Sequence, residues 1–313
     1  MILAHKIALA PSAEQASYFA QASGTKRMVY NWALAEWNRQ YAAGERPKAK
    51  KLKEQFNASK YVEFPWLTDI HRDAHAQPFK NLGDAWKRFF ADIKAKIPAH
   101  EPVFKKKGRC KDSFYVANDK FEIDGLSIRL PKIGWITLKE ALRFDGKIMS
   151  ACVSRTANHW FVSIQVEVSD SVYKRDRTAH ETVGVDLGIT TAAALSTGEK
   201  IISPRPLKKA LRLLKIRQRR ISRKVKSAKR AAGFNPKAKL PKGTRLPQSA
   251  NRLKSARSVA ALYERITNIR ADFTHKLTTR ICRENQTVVI EDLNVKGMLN
   301  PDFPLGSITR RKL

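Results

Sequence analysis

The apolar positions of this chain change period twice. Residues 1–10 alternate loosely, with Ile2, Ile7 and Leu9, and predict a strand. Ser12-Ala13-Glu14-Gln15 forms a capping box. The helix it opens is expected to stop at Gly24, a residue that favours helix ends. A second helix is predicted over about 25–44, with Val29, Trp32, Ala33 and Glu36 at helical spacing. A polar, lysine-rich stretch over 48–53 separates it from a third helix expected over about 77–97. The apolar face of that third helix is Leu82, Trp86, Phe89, Phe90 and Ile93, and the spacing assigns its aromatics to packing rather than to base stacking.

From Phe104 to Val168 the period is two. Phe121-Glu122-Ile123 and 126–130 flank Asp124-Gly125, a strong two-residue hairpin signal. Strands over 135–138, 148–154 and 159–168 follow, with a further turn at Asp145-Gly146, and the N-terminal strand is expected to join them in a small sheet or barrel. A polar linker over 169–181 leads into a third pattern. Strands around Asp186, over 189–195 and over 200–202 precede Ser203-Pro204, a helix N-cap signal. The helix from there to Gly233 carries Leu207, Leu211, Leu214, Ile221 and Val225 on one face. A second, over about 249–285, carries Val259, Leu262, Ile266, Ile269, Phe273, Leu277 and Ile281 and spans roughly 50 Å at 1.5 Å per residue. A last strand ends at Glu291. The fold class is therefore α+β and multidomain. An antiparallel β unit (1–10 and 98–170) holds an inserted helical module (11–97). An RNase H-like α/β domain (182–313) follows, interrupted by a helical hairpin over 204–285.

Charge changes the picture most. Lys plus Arg number 61 against 28 Asp plus Glu, a net charge of +33. A compact chain so charged repels itself unless polyanions share its surface, which points to nucleic acid. Neither a spanning helix nor a lipidation signal accompanies the charge, so a membrane partner is excluded, and the expected location is cytoplasmic and nucleoid-associated. Cys110, Cys152 and Cys282 form no C-x-x-C pair, so no zinc site is expected. The charge is concentrated: residues 200–261 contain 21 Lys or Arg and no Asp or Glu. A merely solvated helix face mixes signs to gain i,i+4 pairs. The hairpin is therefore expected to contact phosphates through Arg212, Lys215, Arg217, Arg219, Arg220, Arg223, Lys224, Arg252, Lys254 and Arg257.

Two acids close apolar runs: Asp186 in Val183-Gly184-Val185-Asp186-Leu187-Gly188-Ile189, and Glu291 in Val288-Val289-Ile290-Glu291. Carboxylates at strand ends are costly to desolvate unless paired or bound to a cation. Two from neighbouring strands suit a hard divalent ion, Mg²⁺ or Mn²⁺, as catalytic metal ligands for phosphodiester cleavage. Asp292 is expected on the opposite face from Glu291, and Asp302 lies in a Pro-rich tail, so neither is assigned to the site. His275 has no other histidine spaced to help it bind metal.

These residues resemble the TnpB (OrfB) family of transposon-associated RNA-guided nucleases. Residues 183–190 are similar to its first RuvC motif, Tyr263 to Lys276 to its bridging-helix signature and Val289 to Met298 to its second RuvC motif. Upstream, Leu130-Pro131-Lys132-Ile133-Gly134-Trp135 and Gly146 to Met149 resemble its wedge domain, and Tyr30-Asn31-Trp32 fits its opening helices. The resemblance implies a wedge-type β-barrel, a helical recognition module and a RuvC domain. It implies a guide RNA copied from the transposon end, double-stranded target DNA beside a short adjacent motif, no small-molecule substrate, and Asp186 and Glu291 as two of three catalytic acids. Gln77 falls where a helix faces the adjacent motif, and Gln suits a major-groove adenine. The family's zinc ribbon and third catalytic Asp have no counterpart after Met298. The resemblance thus implies a truncated member with impaired cleavage. The alternatives are a nuclease-deficient RNA-guided DNA binder acting as a repressor, or an inactive transposase remnant.

Overall fold

The computed structural model describes residues 1–169, 182–188, 191–241, 243–247 and 249–292. Of the expected linker over 169–181 only Ser169 is among them, and the second motif beyond Asp292 lies outside them. The chain forms two compact units, Met1–Lys174 and Arg175–Leu313.

The first unit is built on a seven-stranded antiparallel sheet in the order β2-β6-β7-β1-β5-β4-β3. Its strands are β1 (Ile2–Ala10), β2 (Ser113–Ala117), β3 (Glu122–Asp124), β4 (Ser127–Leu130), β5 (Gly134–Leu138), β6 (Lys147–Thr156) and β7 (His159–Glu167). The N-terminal strand enters the sheet as expected, running from Ile2 opposite Glu167 to Leu9 opposite Trp160 and touching β5 at Leu9–Leu138. Alternation sets the inner face: Trp160, Val162, Ile164 and Val166 of β7 are all buried. The Asp124-Gly125 turn joins β3 to β4, with Gly125 at φ +50°.

Three helices follow β1. Helix α1 (Ala13–Ala42) opens on the expected capping box, in which the Ser12 hydroxyl accepts from the Gln15 amide and the Gln15 side chain accepts from the Ser12 amide. It does not stop at Gly24. Glycine costs only about 1 kcal/mol inside a helix, and packing on both sides outweighs that here. Phe19 and Ala22 pack on the sheet, where the Phe19 ring lies 5.1 Å from Trp160 and 5.5 Å from Phe114. Val29, Tyr30, Ala33 and Leu34 pack in a second core. A break at Gly24 would fall between the two cores that this one rod joins.

The lysine-rich stretch, for which the spacing predicts no element, is the start of α2 (Ala49–Glu63), in which Leu52, Phe56 and Lys60 recur every four residues and are buried. Helix α3 (Arg72–Lys94) begins at Arg72 rather than Gln77 and ends at Lys94 rather than Ile97. Its buried face is correspondingly N-terminal: Ala74, His75, Pro78, Phe79 and Leu82. Phe90 and Ile93, expected in the core, are 55% and 51% exposed. Trp86 stacks instead on Trp37, their centroids 5.2 Å apart.

The second unit carries a four-stranded sheet, β10-β9-β8-β11, formed by β8 (Thr182–Asp186), β9 (Ala193–Leu195), β10 (Lys200–Ile201) and β11 (Thr287–Ile290). β8 to β10 are antiparallel neighbours, and β11 lies parallel to β8. Val183, Val185, Ala193 and Leu195 pack against Ile281 of α5 (Ala250–Glu284), joined by Leu277. Helix α4 (Pro206–Ala231) starts with Pro206 at its first position and Arg205 as N-cap, so Ser203-Pro204 is not the cap. The residue before a proline is pushed out of the α region, which delays the start to Pro206. α5 matches its sequence signals at both ends, with the Ser249 hydroxyl accepting from the Arg252 amide.

Helices α4 and α5 pack through Leu214, Leu262 and Ile266, flanked by Ala210 and Val259. Leu207 and Leu211, expected on the packed face, are 37% and 42% exposed. The contact face of α4 instead runs through Ala210, Leu214, Arg217 and Lys224, the two cations reaching across to α5. None of the helices among the described residues is long and apolar enough to cross a membrane.

Candidate functional site

The two acids are brought together by strand register. β8 and β11 pair Val289 with Gly184 and Ile290 with Val185. One rung further, Asp186 stands beside Glu291. Partners in a parallel pair share a face, on strands about 4.8 Å apart. Val183 and Val185 turn toward α5, so Gly184 and Asp186 turn the other way. Asp186 and Glu291 line one cleft with Ala194, Ser196 and Val289. Both acids are exposed; Asp292 is exposed too but does not line the cleft.

The surrounding backbone fixes this corner. The Gly184 amide donates to the Ser196 hydroxyl at 3.0 Å, tying β8 to the turn after β9. Ser196 carried no signal in the sequence. Gly188 is required by space: a Cβ there would lie 2.8 Å from the Thr191 carbonyl oxygen. The strand bearing Glu291 differs from expectation, since all four β11 positions are exposed, Ile290 by 64%. β11 is the outermost strand among the described residues, so its apolar run has a neighbour on one edge only.

Two adjacent carboxylates present only oxygen donors, the set Mg²⁺ or Mn²⁺ takes. The chemistry of the pair fits such an ion. No group of three or more His, Cys, Asp or Glu placed to hold a metal occurs among the described residues. His275 is exposed, and its neighbour Asp272 bonds Lys276 at 2.9 Å.

The ten cations assigned to phosphate contact divide into two groups. Arg217 donates to the Ser258 carbonyl at 2.7 Å, and Lys224 donates to the Asn251 carbonyl at 2.8 Å and the Ser255 hydroxyl at 2.7 Å. These two side chains staple α4 to α5. Arg252 donates to the Pro247 carbonyl at 3.1 Å. By contrast Arg212, Lys215, Arg219 and Arg223 are exposed. Their spacing of three and four residues places them on one stripe of α4. At 100° per residue that stripe lies opposite the Ala210–Leu214–Arg217 contact face. Lys226 and Arg230 continue it, two residues that the same spacing rule would have added. Arg220, Lys254 and Arg257 are exposed as well, and Arg220 and Lys254 flank the groove between the helices. Gln77 is half-buried near the start of α3 and donates to the Asn81 side chain at 3.4 Å.

Comparison with known proteins places the chain in a family. A family model described as "Probable transposase" (OrfB, IS605) matches residues 163–301, and one described as "Helix-turn-helix domain" of the same group matches residues 1–46. In this chain the second region is β1 and the whole of the unbroken α1. A curated relative from Escherichia coli (strain K12), named "Putative RNA-guided DNA endonuclease InsQ", is 31% identical over 94% of this chain and 67% of its own length. One from Streptomyces pristinaespiralis, named "Putative RNA-guided DNA endonuclease", is 32% identical over 95% of this chain and 68% of its own length. The solved structure of CasPhi-2 (Cas12j) bound to crRNA aligns with 94% of this chain and 83% of its own, at a TM-score of 0.30 and 13% identity, too distant to define the fold. Over both matched regions the chain is similar to transposon-associated proteins of the OrfB class. The chain belongs to the TnpB (OrfB) family.

Proposed function

We propose that this protein is an RNA-guided DNA endonuclease of the TnpB type. Its partners are a guide RNA copied from the transposon end and double-stranded target DNA. The observation that carries the reading is the placement of Asp186 and Glu291 one rung past the Val185–Ile290 pair, on one cleft. Asp186 and Glu291 hold Mg²⁺ or Mn²⁺ there. When bound, such ions stabilise charge on the oxygens of an in-line phosphodiester displacement. Gly188 and Ser196 keep the Asp186 corner in place.

A sheet of three antiparallel strands with a fourth parallel to its first, reached through a long helix, supports an RNase H-like (RuvC) identity for residues 182–313. The antiparallel sheet of residues 1–10 and 98–170 serves as the wedge, and helices in 11–97 as the recognition module. Gln77 reads the target-adjacent motif. The stripe from Arg212 to Arg223, with Arg220, Lys254 and Arg257, contacts nucleic-acid phosphates, which gives affinity and salt sensitivity rather than base readout. Arg217 and Lys224 hold the two helices that present it.

The reading is tested by target binding and plasmid cleavage with purified chain, Mg²⁺ and the RNA of its own transposon end. Guide-dependent binding, with cutting that Asp186→Ala removes, supports it. Plasmid binding that ignores the guide sequence contradicts it.

A further inference from the structure

Helices α1 and α3 and the segment leading into β2 surround a recessed cavity of about 210 Å³ in the first unit. Its lining is cationic: Lys26 and Arg27 from α1, and Lys105 and Lys111 from the segment before β2. Asp112 ion-pairs with Arg27. Lys26, Lys105 and Lys111 have no ion-pair partner among the described residues.

Two groups in this lining are poorly satisfied. Lys26 donates to the Ser113 hydroxyl at 2.9 Å, a neutral partner. Burial lowers its pKa, and Lys105 and Arg27 push the same way against the opposing pull of Cys152 and Cys110. Ser23, one turn away on α1, is 1% exposed, and its hydroxyl has no hydrogen-bond partner. A desolvated ammonium without a counter-ion and a buried hydroxyl without a partner are both unfavourable. One oxyanion entering the cavity satisfies both, since an ammonium and a hydroxyl each donate. Lys105 is already positioned, its ammonium 4.9 Å from the Tyr30 ring centroid and its backbone clamped by Asn31 at both the amide and the carbonyl. At about 210 Å³ the cavity is below the roughly 300 Å³ at which pockets take drug-sized ligands, and it suits a phosphate with part of its sugar.

We propose that this cavity receives one phosphate group of the bound nucleic acid, with Lys26, Lys105 and Lys111 as its charged ligands and Ser23 as a hydrogen-bond donor. The proposal rests on the nucleic-acid-binding reading above. It adds a discrete anchor in the first unit to the extended cationic stripe of α4. The phosphate is either a terminal monoester or an internal diester, and both present anionic non-bridging oxygens.

Cys110 lines the cavity and is a free thiol, so it reports occupancy. Alkylation of Cys110 by iodoacetamide is followed by peptide mass spectrometry in the full chain, alone and with a single-stranded RNA oligonucleotide. The oligonucleotide is used with a 5′-phosphate and with a 5′-hydroxyl, and binding is read in parallel by gel shift. The expected result is slower alkylation with RNA, and loss of that protection in Lys26→Met. Lys111→Ser, at an exposed position, gives the same loss without risk to the fold. Protection by the 5′-phosphorylated RNA alone identifies a terminal phosphate, and equal protection by both identifies a diester. RNA that shifts in the gel but leaves Cys110 alkylation unchanged overturns the proposal while the nucleic-acid reading stands. Protection by inorganic phosphate with none by either RNA also overturns it.

Discussion

Asp186 and Glu291 leave neighbouring parallel strands one rung beyond the Val185–Ile290 pair and line the same cleft. Two like charges on one face of adjacent strands repel unless a cation lies between them. A divalent ion that binds the folded chain therefore stabilises it by mass action. Mg²⁺ or Mn²⁺ is expected to raise the melting temperature, and Asp186→Ala is expected to remove that increment. The same substitution leaves guide-RNA affinity nearly unchanged, because without metal the acid only repels phosphate. Calorimetry with and without metal, and a filter-binding titration, check the two halves. A large loss of RNA binding in Asp186→Ala would contradict the metal-site assignment.

The division of cations on α4 makes opposite predictions for neighbouring residues. Arg219→Glu with Arg223→Glu is expected to leave the melting temperature in place and to weaken nucleic-acid binding. The slope of log K against log salt should shrink by about 0.7–0.9 for each phosphate that the helix no longer neutralises. Arg217→Met and Lys224→Met should instead lower stability by about 1 kcal/mol each, through hydrogen bonds to the Ser258 and Asn251 carbonyls. Denaturant titration separates the two classes, and an unchanged salt slope in the double variant would show that the stripe does not touch the nucleic acid.

Two glycines should respond in opposite directions. Gly24 is interior to α1, and an added Cβ would come no closer than 3.8 Å to the Arg27 side chain. Gly24→Ala should stabilise the protein by roughly 0.5–1 kcal/mol. Gly188→Ala places a Cβ 2.8 Å from the Thr191 carbonyl oxygen, so the Asp186 corner must shift. That variant should lose metal-induced stabilisation before it loses fold. Chemical denaturation measures the first and metal titration the second.

Acid should weaken the first unit through its buried histidines. Burial pushes the His75 pKa down to about 4, aided by Lys60, His71 and Arg72, and burial likewise lowers that of His71. A histidine whose folded pKa lies below its unfolded value of about 6.5 favours folding while neutral. Its contribution is present above pH 6.5 and is lost as pH falls from there toward 4. The melting temperature should drop across that window, and His75→Phe should flatten part of the drop. An equal slope in the variant would assign the acid sensitivity elsewhere.

Much of this molecule was legible in its sequence because local signals and packing agree. The Ser12 capping box, the Asp124-Gly125 hairpin and both ends of α5 lie where their residues indicated. The acid pair was legible because each β-branched run ends in a carboxylate. Their shared rung was not, since register follows from long-range pairing. Gly24 misled because a glycine ends a helix only where nothing packs on both sides of it. α2 was hidden by its lysines, one of which, Lys60, continues the buried period of Leu52 and Phe56. The hairpin's charge was plain, but charge does not distinguish a stapling Arg217 from an exposed Arg219. The cavity around Lys26 gave no signal, because its residues come from three separate segments.

RNA-guided cleavage at the Asp186–Glu291 pair is tested most directly by a single assay that reads target binding and cutting together. Purified chain, Mg²⁺ and the RNA of its own transposon end are mixed with a plasmid that carries the matching sequence, beside one that does not. The predicted result is retention of the matching plasmid only when the guide is present, and Mg²⁺-dependent cutting that Asp186→Ala removes while retention persists. Equal retention of both plasmids, or cutting that survives Asp186→Ala, would contradict it.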